Sequence, residues 1–210
     1  MISFFFLAYC AFSKSNRIHV DNGYTKIPLH IFNSPKDQIN TKDDDLLPSN
    51  SIYTGDSNSR QFNTVSLYLT SSLFINCTTS TNQDGSAIHL HQGYLFAFNS
   101  SFVNNAAGNH GGSLYLFNPI FSIYSCAFIN NTAMNGNGGA ICITSNSSEE
   151  LFSENEIVQC HFFNCAAKFA NNDISYGQGG AVYFEHAGFF SVYQTNFTFC
   201  NSCNNGAAIY

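Results

Sequence analysis

Four short runs alternate strictly between an apolar set, aliphatic except for Phe184, and a second, mixed set. Ile88/Leu90 alternate with His89/His91, Leu114/Leu116 with Tyr115/Phe117, Ile141/Ile143 with Cys142/Thr144, and Val182/Phe184 with Tyr183/Glu185. A period of two predicts strands with the aliphatic set facing a core. No segment shows a comparable 3.6-residue period, and Ala, Leu, Lys and Glu are too sparse for helical repeats. The pattern predicts an all-β chain.

The runs are copies of one unit. Each follows a small-residue motif whose first glycine falls at Gly85, Gly111, Gly138, Gly179 or Gly206, in steps of 26, 27, 41 and 27 residues. A second motif keeps phase with it: FINC at 74, FVNN at 102, FINN at 128, FFNC at 162 and FTFC at 197. Aligning the leading Phe aligns other columns. Five residues earlier stand Leu69, Ala97, Ile123, Ile157 and Val192; three residues later stand Cys77, Asn105, Asn131, Cys165 and Cys200. Periods of 20 to 50 residues mark stacked repeats. A unit of two or three short strands with small-residue corners predicts a parallel β-helix of about five coils over residues 61–210, each coil about 4.8 Å from the next. Gly85, Gly111, Gly112, Gly138, Gly139, Gly179, Gly180 and Gly206 are the expected corners, where positive φ or close backbone approach excludes a side chain. Asparagines three residues after the Phe are expected to stack as an amide ladder. The 41-residue step carries extra material at 145–156 and 168–178, expected as surface loops that either bind something or have drifted neutrally.

Outside the repeat, MISFFFLAYCAFS has an apolar stretch of about ten residues, too short to span a membrane. Residues 1–13 are read as a signal peptide, with an internal hydrophobic strand as the alternative, and nothing later resembles a transmembrane segment. Residues 14–60 are read as a polar linker or N-terminal cap with one strand near 27–32; they hold three of the four prolines. The chain stops in the middle of an expected strand, which suggests a truncated array and, through its open end, end-to-end self-association.

Only 10% of the residues are charged, and residues 61–210 contain one Lys and seven acids. Nucleic acid and anionic membrane surfaces are therefore poor partners, because phosphate neutralisation needs clustered cations. Asn76, Asn99, Asn130, Asn146 and Asn196 each begin an Asn-x-Ser/Thr sequon, a candidate glycosylation site in a secreted eukaryotic chain.

GGAI at 138–141, FINN at 128–131 and FVNN at 102–105 resemble the repeats of polymorphic outer membrane proteins, and the looser copies extend the likeness over residues 61–210. The resemblance implies a right-handed parallel β-helix, a surface or secreted location and a role in adhesion.

Candidate chemistry is thin. Hydrolysis of a glycan needs two carboxylates roughly 5 to 9.5 Å apart, and the acids on strand faces reduce to Glu156 and Glu185. No catalytic residue, cofactor or metal site is assigned. His89 and His91 lack an evident third ligand, and Cys200-Asn-Ser-Cys203 lacks the rest of a zinc or redox site. Cys126 and Cys160 share a column in consecutive coils, as do Cys165 and Cys200. They are candidate disulfides, with a buried column of reduced thiols as the alternative. The outward residues His89, Tyr115, Tyr183 and Tyr210 form an aromatic row suited to sugars or to a protein partner, or else reflect the strand propensity of Tyr. The sequence thus points to a secreted or cell-surface scaffold, adhesive or structural and non-catalytic, that takes a glycan or cell-surface protein ligand. A carbohydrate-active enzyme and a non-functional fragment are the alternatives.

Overall fold

The computed structural model describes residues 30–32, 45–46, 51–54, 60–146, 155–168, 177–185 and 190–210. The expected signal peptide, most of the expected linker or cap, and the inner parts of both expected loops (147–154 and 169–176) lie outside the described residues. Every strand pairing is parallel, and no helix occurs among the described residues.

The strands form three sheets. One contains the long strands Arg60–Thr70, Ile88–Phe98 and Leu114–Tyr124. A second stacks the short Phe-containing strands Leu73–Ile75, Ser101–Val103, Ala127–Ile129, His161–Phe163 and Asn196–Thr198. The third stacks the two-residue strands Ala106–Ala107, Thr132–Ala133, Ala166–Ala167 and Asn201–Ser202. The chain visits the sheets in that order and returns to the first one strand further along. This stacked parallel arrangement fits a β-helix.

Register explains why the pattern is so regular. Phe74, Phe102, Phe128, Phe162 and Phe197 are direct partners in the second sheet. Their rings stack with centroids 4.9, 4.7, 4.7 and 4.8 Å apart and planes within 10°. A one-residue slip would turn each ring outward, and burying a Phe is worth about 1.5–3 kcal/mol. The aliphatic columns of the first sheet face the same interior: Ile88, Leu90, Leu114, Leu116, Ile141 and Ile143 are fully buried.

The parallel ladder also reaches into the segment read as a linker or cap. His30–Phe32 and Ser51–Thr54 join the Phe sheet, and Asp45–Leu46 joins the long-strand sheet. Tyr53 occupies the Phe position and stacks on Phe74 at 4.5 Å. Arg60 sits in an aliphatic column, opposite Ile88, and its guanidinium lies 5.2 Å from the Tyr53 ring centroid.

The extra residues of the 41-residue step interrupt the long strand without shifting it. Ile141–Thr144 pairs with Leu114–Phe117, and after the interruption Glu156–Val158 pairs with Ser122–Tyr124.

The corner glycines fall into two kinds. Gly85, Gly111, Gly138, Gly179 and Gly206 have φ of 56° to 68°. Gly112, Gly139 and Gly180 face the next coil instead: a Cβ on Gly139 would overlap the Gly180 carbonyl oxygen and lie 2.6 Å from the Ala166 nitrogen.

The amide ladder is not where the sequence placed it. The buried Asn105 and Asn131 bond to backbone rather than to each other's side-chain amides. Asn131 Oδ1 accepts from the Asn105 backbone N–H at 3.0 Å, and its Nδ2 donates to the Phe102 carbonyl at 2.9 Å. The side-chain ladder runs one residue earlier, on the surface: Asn164 Nδ2 donates to Asn130 Oδ1, and Asn130 Nδ2 to Asn104 Oδ1. Those three asparagines have φ of 51° to 55°. The corner needs a left-handed residue, and Asn tolerates that conformation.

Candidate binding face

The outward row of the long-strand sheet carries the candidate site. His89, Tyr115, Cys142 and Tyr183 are direct partners in successive strands. His89 meets Tyr115 edge-on at 4.8 Å, and Tyr210 stacks parallel to Tyr183 at 5.7 Å. Cys142 breaks the row of rings. Alternation points it outward, yet it is fully buried, and burial pushes its thiol well above the ordinary value.

At this break the surface has a hollow of about 280 Å³. One strand supplies Tyr115 and Phe117, the next segment Cys142, Thr144, Ser145 and Asn146, and the third strand Tyr183 and Glu185. His110 closes one side. The Tyr115 and Thr144 hydroxyls share a hydrogen bond at 3.1 Å, and Tyr183 bonds the Asn137 side chain. Ser145 and the Asn146 backbone both donate to Asn118 Oδ1, which fixes the far rim. His110 Nδ1 accepts from the Asn137 backbone N–H at 3.0 Å, and the His110 backbone N–H donates to Asp84 at 2.9 Å.

Burial sets the electrostatics. It lowers the pKa of His110 and His89 against the opposing pull of Asp84, and it raises that of Tyr115. Tyr183 is pushed up to about 12 by burial and then by the Glu185 charge. These groups are neutral at physiological pH, which leaves Glu185 as the charge on the hollow's lining.

The remaining candidates are dispersed. Glu156 does not line the hollow; it accepts a hydrogen bond from the Tyr124 hydroxyl. His91 is exposed and stacks on Phe117 at 4.7 Å. Among the described residues, no three His, Cys, Asp or Glu side chains are grouped to hold a metal ion.

Cys126 adjoins Cys160, and Cys165 adjoins Cys200, as the columns require; in the structure all four carry free thiols. Cys165 Sγ faces the Phe128 carbonyl at 3.4 Å, the role that Asn131 Nδ2 plays one coil earlier. Within each pair one thiol donates to the other. That lowers Cys200 to about 7 and lowers Cys160, while it raises Cys126 and Cys165. Cys203 is exposed, whereas Cys200 Sγ faces the Phe162 carbonyl at 3.8 Å, so the Cys-x-x-Cys thiols serve different surroundings. The five sequon asparagines are all exposed, Asn130 within the surface ladder and Asn146 on the rim of the hollow.

The alternation of the sequence places Tyr115, Thr144 and Tyr183 on the outward side, but it does not bring His110 or the sequon residue Asn146 to this face. The signal available for His110 was its position directly before the corner Gly111.

Residues 125–144 match the model of the Chlamydia polymorphic membrane protein (Chlamydia_PMP) repeat. The match spans one Phe strand, one two-residue strand, the corner Gly138-Gly139 and the following strand, which is one circuit of the three sheets. No curated protein and no solved structure matches the chain.

Proposed function

We propose that the chain is a right-handed parallel β-helix that serves as a secreted or cell-surface adhesive scaffold, without catalysis of its own, and that its ligand contacts the outer aromatic face. One observation carries the reading: His89, Tyr115 and Tyr183 stand in register on one face beside a hollow with a carboxylate on its lining. Rigid rings on a rigid sheet give contact area with little entropy cost. The Chlamydia_PMP repeat at residues 125–144 supports the surface location. The carbohydrate-active alternative is the weaker reading, since Glu185 and Glu156 do not share the hollow.

The test is binding of the folded chain to arrayed glycans and to cell-surface proteins, with a Tyr115→Ala/Tyr183→Ala variant alongside. Saturable binding that disappears in the variant supports the reading. Equal binding by a variant that keeps its melting transition removes the aromatic face from it.

A further inference from the structure

Resting on the reading of this face as a contact surface, we infer that the hollow is a guanidinium site, shaped to accept an arginine side chain from a partner protein. Its volume of about 280 Å³ falls just below the range of about 300–1,000 Å³ typical of small-molecule pockets, a size for one side chain rather than an oligosaccharide. The charge on its lining is the exposed Glu185, and Asp84 and Glu185 both act on Tyr115 and His110. The described cations are elsewhere: Arg60 lies over Tyr53, and Lys168 follows the two-residue strand Ala166–Ala167. Among the described residues the charge at the hollow is therefore negative, which disfavours phosphate, sulfate and acidic sugars.

Shape then selects among cations. Tyr115, Tyr183 and Phe117 bring aromatic rings to the lining, and Thr144 and Glu185 bring oxygen acceptors to it. A guanidinium is planar, less strongly hydrated than an ammonium, stacks on aromatic rings and pairs with a carboxylate through two parallel N–H bonds. An ammonium has no flat face to stack. The molecule already sets one guanidinium over aromatic rings: Arg60 lies 5.2 Å from the Tyr53 centroid and 6.0 Å from that of Phe74, and donates to the Thr54 carbonyl.

The test is a ligand-observed NMR titration of the full chain with N-acetyl-argininamide. The matched probes are N-acetyl-citrullinamide, which keeps the planar shape without the charge, N-acetyl-lysinamide, and a neutral methyl glycoside. The arginine probe is expected to bind saturably, with the citrulline probe about tenfold weaker because it loses both the cation–π contact and the ion pair. Glu185→Gln, which removes an exposed charge and no packing, is expected to weaken the arginine probe about fivefold while leaving melting unchanged. An arginine-bearing peptide that binds more tightly than agmatine identifies a protein side chain as the source; the reverse order assigns the site to free guanidinium compounds and overturns the partner. Equal affinity for arginine and citrulline probes, binding of the glycoside alone, or no binding by a folded chain overturns the site. Failure here is distinct from failure of the adhesive reading. Tyrosine-dependent surface binding that excess N-acetyl-argininamide does not compete would leave the face and remove the guanidinium.

Discussion

Two rows of aromatic residues run along this protein, one inside and one outside, and they behave differently. The inner row from Tyr53 through Phe197 places a ring in every described coil, with centroids 4.5 to 4.9 Å apart and planes within 10°. The outer row varies from His to Tyr to Cys, its ring contacts range from edge-on to parallel, and it is broken at Cys142. Phe74, Phe102, Phe128 and Phe162 are each packed on two sides by another ring, so a change in one is felt by its neighbours. The outer residues lie on the face that carries the hollow. Uniformity marks the row that holds the fold, and the irregular row is the one to which the proposal assigns recognition.

The largest effect should come from breaking the inner row. Phe128→Ala removes a fully buried ring from between two others and should cost about 3–5 kcal/mol in chemical denaturation. Next, Asn131→Leu keeps the branched shape but removes the acceptor of the Asn105 N–H and a donor to the Phe102 carbonyl, at about 1–3 kcal/mol for the buried N–H left unpaired. Gly139→Ala places a methyl on the Gly180 carbonyl and should cost about 1–3 kcal/mol through forced separation of two coils.

Acidification should act more gently. His89 and His110 have pKa values lowered by burial, so the unfolded chain binds protons more readily than the native one as pH falls. Their stabilising contribution is complete above the ordinary histidine value of 6.5 and is lost below it, by at most about 1.4 kcal/mol per pH unit for each histidine. Melting temperatures measured from pH 7.5 to 5 should therefore fall, with a smaller fall in His110→Gln. The smallest effect on stability is expected for Glu185→Gln, within about 0.5 kcal/mol, although it touches the hollow most directly.

The inner row was legible in the sequence because it repeats: Phe at one phase, aliphatics at another and glycine at the corner. Legibility ended where a repeat changed its letters. Tyr53 takes the Phe position only 21 residues before Phe74 and has no glycine corner ahead of it, so its coil was read as linker. The amide ladder was assigned one column too far along, because Asn-Asn pairs occur at both positions in FVNN and FINN. Only the left-handed backbone at Asn104 and Asn130 decides which of each pair faces out. Alternation likewise could not show that the outward Cys142 is buried. Its cover depends on Tyr115, which lies 27 residues earlier, and Tyr183, which lies 41 residues later.

The most direct test of the contrast between the rows fills the break in the outer one. Thr144 is half-buried on the lining of the hollow, so Thr144→Trp should occupy the space while leaving every inner ring in place. Binding isotherms of the wild-type chain and of Thr144→Trp, against the same cell-surface target and at equal folded concentration, decide the matter. The account predicts an unchanged cooperative melt and binding weakened by at least about tenfold, the loss of about 1.4 kcal/mol of contact energy. Undiminished binding by the folded variant would contradict it.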